Sequence, residues 1–259
     1  MCGRFAVTTD PALLAEKIQA IDESTAAQMD TQPNYNVAPT TTITSVVKRH
    51  GEPHDESTRR VRSMRWGLVP PWAKTAEDGG PDTTGPLLIN ARSEKLTTSP
   101  VFRNSAKNKR CLVPMDGWYE WRPNGETASG KKAPKTPFYM YGGDGEPLFM
   151  AGLWTTWRPR EDSGAPCSTP PLLSCTIITT DAAGALADIH DRMPLTISER
   201  DWDRWLDPDA PIDEGLLRGH GDLDRIAIRE VSRLVNSIRN NGPELIEPAE
   251  PEPQQATLL

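Results

Sequence analysis

Apolar residues in this chain of 259 residues arrive in short runs, and that limits its fold more than any other feature. Residues 42–47, 61–68, 111–114, 137–141, 148–154, 172–180 and 226–231 are rich in β-branched and aromatic side chains. Gly, Pro and charged residues close each run, so all of them read as strands. Helical signals are few. Asp10-Pro11 opens a stripe of Leu13, Leu14, Lys17 and Ile18 that reaches about residue 20. Residues 93–102 read as helix or turn, and Thr180-Asp181 caps a short helix over 182–187. Ser198 caps another over 198–206, with Trp202 and Trp205 one turn apart as core residues. Residues 137–141 and 148–154 flank the turn Gly142-Gly143-Asp144-Gly145 and read as a hairpin. Residues 87–89 read as an apolar strand ending at Asn90-Ala91-Arg92, and residues 231–237 as a continuation of the last strand. The pattern predicts one strand-dominated α+β domain over residues 2–248 with large polar loops. A Glu/Pro/Gln-rich tail, 249–259, is too polar to fold.

Charged residues at 25% and hydrophobic ones at 36% suit a globular chain with a real core. No apolar run reaches membrane-spanning length and no signal-peptide pattern precedes the first strand. The expectation is a cytoplasmic protein away from membranes. The four cysteines, Cys2, Cys111, Cys167 and Cys175, form no CxxC pair. Neither a zinc site nor disulfides are expected, nor is any metal or cofactor. Cys111 and Cys175 sit in apolar runs and read as buried. Net charge is −7, yet residues 58–136 carry 15 Lys and Arg against 7 Asp and Glu, a local excess of +8. That excess is either one phosphate-binding face or a scatter of solvated loops.

The chemistry starts at Met1-Cys2-Gly3-Arg4-Phe5. Methionine is trimmed before a side chain as small as cysteine, so the mature chain is expected to begin at Cys2. An α-amine titrating near ~8 and a thiol near ~8.5 then share one residue. The amine condenses with an aldehyde to an imine, and the thiol closes on the imine carbon to give a thiazolidine. The bland alternative is a cysteine placed by accident after the start codon. Further along, Asp116-Gly117-Trp118-Tyr119-Glu120-Trp121 alternates on a strand, with Trp118 and Glu120 on one face and Tyr119 and Trp121 on the other. A carboxyl between aromatics is desolvated, its pKa rises, and it suits general acid work. The alternative is a surface glutamate between packed tryptophans. His190, in Ile189-His190-Asp191-Arg192, has an acid and an arginine beside it, as proton transfer or phosphate contact requires. Trp66 reads as core. Trp72, after Pro70-Pro71, presents an aromatic face on which a nucleobase can stack.

Taken in order, CGRF at 2–5, YNVAPT at 35–40, RWGLVPPWA at 65–73, INARSE at 89–94, DGWYEW at 116–121, AGLW at 151–154, IHDRMP at 189–194 and VSRLVNSIRNNGPELI at 231–246 resemble the SRAP family. These are the SOS response-associated peptidases, or abasic site processing proteins. The resemblance implies a single domain with a mainly antiparallel, barrel-like twisted sheet and a few short flanking helices. It implies recognition of abasic sites in single-stranded DNA, and capture of the open-chain sugar aldehyde by the N-terminal cysteine as a thiazolidine crosslink. It assigns Cys2 as nucleophile, Asn90 to hold the sugar or the amine, Glu120 as acid/base and His190 to assist ring opening. Arg4, Arg92 and Arg192 match phosphate contacts, and Trp72 and Trp121 match aromatics near DNA. Ala73 replaces a second aromatic found in some members, which weakens stacking there. The loops at 122–136 and 158–171 are longer than in compact members. The resemblance further implies a monomer that joins the nucleoid during DNA damage and an accessory peptidase activity removing Met1.

Other functions remain open at this point. Class II glutamine amidotransferases also begin Met-Cys-Gly and use the freed amine as base, which gives an N-terminal-nucleophile amidohydrolase without DNA. A plain single-strand binding module would bind DNA without any covalent species.

Overall fold

The computed structural model describes residues 2–24, 32–52, 54–125, 134–159, 170–219 and 221–250. Met1, Cys167, most of the two long loops and the tail from residue 251 lie outside the described residues. Thirteen strands are present among the described residues: β1 (Phe5–Val7), β2 (Ile21–Asp22), β3 (Asn34–Val37), β4 (Thr42–Arg49), β5 (Thr58–Trp66), β6 (Asn90–Arg92), β7 (Arg110–Met115), β8 (Gly117–Pro123), β9 (Lys135–Gly142), β10 (Leu148–Trp157), β11 (Leu172–Asp181), β12 (Arg192–Pro194) and β13 (Ile226–Glu230). Four short helices, α1 (Pro11–Lys17), α2 (Arg103–Asn108), α3 (Trp202–Leu206) and α4 (Glu214–Arg218), flank them. None is long and apolar enough to cross a membrane.

Five strands close on themselves. β4 pairs with β5 and β7, β7 with β10, and β10 with β11. β11 returns to β5 through the parallel partners Ser174–Arg65 and Cys175–Trp66. Side chains alternate between the two surfaces of this barrel, as strand geometry demands. Ile43, Val47, Cys111, Val113, Met150, Trp154, Cys175 and Ile177 fill the interior. Val46, Leu112, Ala151, Leu153 and Ile178 face outward, where Leu14 and Ala15 of α1 and Trp202, Trp205 and Leu206 of α3 cover them. Gly152 meets a tight interior spot, since a Cβ there would lie 2.8 Å from Cys111 Sγ and 2.9 Å from the Thr176 carbonyl oxygen.

The second sheet, ordered β13-β9-β8-β1-β3, is antiparallel throughout. Phe5, Val37, Trp118, Phe138 and Met140 on one face join the barrel interior, and Phe5 packs on Trp66 at 5.1 Å between ring centroids. The chain steps from barrel to sheet at Asp116-Gly117. A Cβ on Gly117 would sit 2.3 Å from the Met140 carbonyl oxygen, so only glycine permits that step. Ala6, Tyr119 and Tyr139 face the other way, under Val231, Val235 and Leu245 of the C-terminal segment.

Several local expectations are corrected. The strands of the expected 137–154 hairpin separate: β9 pairs with β8 and β13, β10 with β7 and β11. Residues 87–89 are irregular, and the strand is Asn90–Arg92 itself, because that segment pairs with β11. After β13 the chain does not stay extended. Ser232 Oγ accepts the Leu234 N–H and starts a 3-10 turn, Arg233–Asn236. The basic cluster before β7 is partly helix α2. Its Arg110 is buried and donates to the carbonyls of Trp205, Ala106, Lys107, Asp207 and Ala210. Arg59 pairs with Asp203, while Arg60 and Arg62 pair with Glu23. At least these four residues of the basic middle are therefore spent on internal partners and not on one free face. By contrast α1 starts as its sequence demands, with Asp10 accepting from the Ala12 and Leu13 amides and Pro11 in the first turn.

Candidate active site

The two sheets meet at Cys2. β1 lies between β3 and β8, and the Tyr119 N–H donates to the Arg4 carbonyl at 3.0 Å, which carries the pairing back toward the chain start. From the barrel side, Asn90 is held on β6 opposite Ile177 of β11. Its Nδ2 donates to the Cys2 carbonyl at 2.8 Å. The buried Asn90 Oδ1 has no hydrogen-bond partner among the described residues, so an acceptor stands ready beside the nucleophile. Cys2 is 0% exposed, and burial, followed by the charge of Glu120, pushes its thiol pKa well up. The resting sulfur is a thiol, and it must be deprotonated or add as S–H when it reacts.

Glu120 follows the Trp118 face of β8 into the interior and is 3% exposed. That removes the surface-glutamate alternative. Burial raises its carboxyl from 4.5 to about 7, so at neutral pH it is poised to give or take a proton. It lines an open pocket of about 390 Å³ with Trp121, Lys135, His190 and Asn236. His190 enters just before β12. Its Nδ1 lies 3.0 Å from the Arg192 N–H, which donates to it, and 2.7 Å from the Asp191 carboxylate. Burial lowers its pKa. Nδ1 thus faces both a backbone donor and a carboxylate acceptor, and its proton follows whichever of the two it serves.

The remaining residues fall into two groups. Arg4 and Trp121 are tied into this site. Arg4 donates to Asn36 Oδ1 at 2.5 Å and to the Val235 carbonyl at 3.1 Å. Trp121 Nε1 donates to Asn236 Oδ1 at 2.7 Å. Arg92 is exposed on the same short strand as Asn90, and Trp72 is 46% exposed on its loop. Arg192 differs: it is 7% exposed, and its two terminal nitrogens bind both Glu94 oxygens, Asp181 and the Thr179 carbonyl. A phosphate reaching it must compete with two carboxylates.

Asn36, Lys135 and Asn236 were not singled out from the sequence. Asn36 Nδ2 donates to the carbonyls of Val235, Ser237 and Asn240, latching the C-terminal segment beside Arg4. The signal for Asn36 and Asn236 was their place in two of the ordered motifs. Lys135 carried no signal.

A family model described as SOS response associated peptidase (SRAP) matches residues 1–238. This chain belongs to the SRAP family. A Bacillus subtilis relative, abasic site processing protein YoqW, is 36% identical over 252 residues, covering 95% of this chain and 99% of that protein. Escherichia coli abasic site processing protein YedK is 32% identical, covering 96% of this chain and 100% of that protein. Abasic site processing protein HMCES of Xenopus tropicalis is 31% identical, covering 94% of this chain and 77% of that protein. A solved structure from Bacteroides thetaiotaomicron shares the fold, with TM-score 0.74 at 23% identity, 96% of this chain and 100% of that one. The barrel-like, mainly antiparallel SRAP architecture holds here, and membership in the SRAP family displaces the amidotransferase alternative.

Proposed function

We propose that the protein senses and shields abasic sites in single-stranded DNA by crosslinking to them through Cys2 once Met1 is removed. Support comes from one arrangement above all: Asn90 fixes Cys2 while a carboxyl poised near neutrality acts electrostatically on the same thiol. The names of the relatives point to the substrate.

The abasic sugar is mostly a closed hemiacetal, and His190 assists the proton transfer that opens it. The freed amine of Cys2 attacks the exposed aldehyde carbon to give a carbinolamine. Glu120, as the acid, protonates the departing hydroxyl, which leaves as water as the C=N bond forms. The thiol then adds across that bond: sulfur joins carbon, and its proton ends on nitrogen. One water is lost overall. Glu120 serves reversal by the same path backwards. Asn90 Oδ1 accepts from the amine or a sugar hydroxyl. Arg4 and Arg92 act on phosphates, Arg192 only where a phosphate displaces a carboxylate partner, and Trp72 and Trp121 act on flanking bases, with the phosphate contribution weakening in salt. Removal of Met1 is an accessory self-processing step.

Intact-mass measurement before and after mixing with an abasic oligonucleotide tests this reading. The expected product is the chain without Met1 plus the oligonucleotide minus one water. Cys2→Ala, or one residue appended before Cys2, abolishes the SDS-stable species and leaves weaker reversible binding. A stable adduct of undiminished yield in either variant, or active material that retains Met1, overturns it.

A further inference from the structure

We propose that the barrel mouth remote from Cys2 is a second binding site, one that takes a phosphate ester. The interior side chains Val47, Met64 and Leu173 floor a cavity of about 240 Å³, and Arg49, Arg62 and Arg158 line it with Trp154. Leu173 lies four residues along β11 from Ile177, the partner of Asn90, a distance of about 13 Å at strand spacing. The mouth is thus distinct from the pocket of Glu120 and His190.

Its charge is one-sided. Among the described residues no carboxylate lines it, in a protein whose net charge is −7. Arg62 is shared with Glu23, but among the described residues neither Arg49 nor Arg158 is ion-paired. Trp154 is buried, and its indole holds Arg49 at 5.1 Å and Lys109 at 5.3 Å from the ring centroid. Cation–π contact therefore keeps two like charges together at a fixed place. Burial and the neighbouring Arg49 lower the pKa of Lys109, a crowding that an anion relieves. Guanidinium groups match phosphate oxygens in pairs.

The cavity has space for roughly eight waters, enough for a phosphate with its sugar. Among the described residues it offers no free aromatic face, because Trp154 is buried against two cations. Recognition is by charge, without regard to the base. The phosphate can come from a free nucleotide or from a distant stretch of a bound strand.

Full-length protein is titrated with inorganic phosphate, with purine and pyrimidine nucleoside monophosphates, and with sodium chloride at matched ionic strength. Thermal shift and equilibrium binding are read. Wild type is expected to bind the phosphates saturably, base-independently and beyond the chloride effect. Arg49→Ala/Arg158→Ala, two changes at exposed side chains, lowers affinity on the order of ten-fold or more. Arg49→Lys/Arg158→Lys recovers part of it, which a fold defect would not allow. Cys2→Ala binds phosphate as wild type does, so loss of crosslinking leaves this site standing. Undamaged single strands, short and long, separate the sources. A long-strand advantage lost in the double alanine variant assigns the site to DNA, and an unchanged advantage assigns it to free nucleotides. Absence of saturable binding by every phosphate probe, or binding retained in the double alanine variant, overturns the proposal.

Discussion

Glu94 directly follows β6 and Glu120 lies on β8, yet their surroundings drive them in opposite directions. Glu94 is half-exposed and gripped by the Arg192 guanidinium, which holds its carboxyl down to about 2. Glu120 is buried beside Trp118 and Trp121, facing His190 and Lys135 across a pocket, and desolvation lifts it to about 7. One carboxylate is a fixed charge that pins β12 to the end of β6. The other changes charge in the range where an enzyme works. The difference lies in whether a guanidinium offsets the loss of water.

The sharpest test of that contrast is Glu120→Gln. If the proposed chemistry holds, it slows crosslink formation and reversal by about 10²–10⁴-fold, the range for a positioned acid or base. In wild type the formation rate peaks between the Glu120 value of about 7 and the amine value near ~8, falling at higher pH as Glu120 loses its proton and at lower pH as the amine becomes protonated. Gel quenching across pH 5–9 measures both limbs, and unchanged rates in the variant would reduce Glu120 to packing.

The same substitution alters stability in a predictable direction. The folded pKa of about 7 exceeds the reference value of 4.5. The stabilising contribution is therefore full below 4.5 and is lost as pH rises through 7. Glu120→Gln lacks this loss. Its stability relative to wild type should grow from pH 4.5 and level off above pH 7, by on the order of 3 kcal/mol. Denaturant titrations at pH 5 and pH 8 check it, and a pH-independent difference would contradict the assigned burial effect.

Glu94→Gln should act the other way. It leaves the buried Arg192 with Asp181 as its carboxylate partner beside the Thr179 carbonyl and costs about 1–3 kcal/mol at pH 7. Because the folded pKa is depressed, the cost disappears as pH falls toward 2. The smallest effect is expected from Asn236→Ala, which removes the acceptor of Trp121 Nε1 and costs about 1 kcal/mol. Its crosslinking rate should fall less than that of Glu120→Gln, and an equal fall would place Asn236 in the chemistry.

Much of this was readable in one dimension. The alternation of DGWYEW placed Trp118 with Glu120 and Tyr119 with Trp121, and the structure puts Trp118 and Tyr119 in separate clusters. Asp10-Pro11 started a helix because capping is settled within one turn. Trp66, Trp202, Trp205, Cys111 and Cys175 are core. The errors share a cause. Glycines between 142 and 145 suggested a hairpin, but which sheet a strand joins is settled by partners distant in sequence. Residues 231–237 look extended by composition, yet Asn36, some two hundred positions earlier, captures their carbonyls.

Local order alone determined the alternating strands, the capped helix and the ordered motifs that mark the family, because each depends on neighbours within a few residues. Tertiary structure alone decided that β5 and β11 close a barrel, that Asn90 reaches the Cys2 carbonyl, and that Arg192 is committed to Glu94 and Asp181. It also decided that Glu120 is dry enough to titrate near 7. Desolvation and charge pairing are set by what surrounds a group in space, and that is assembled only when the two sheets meet.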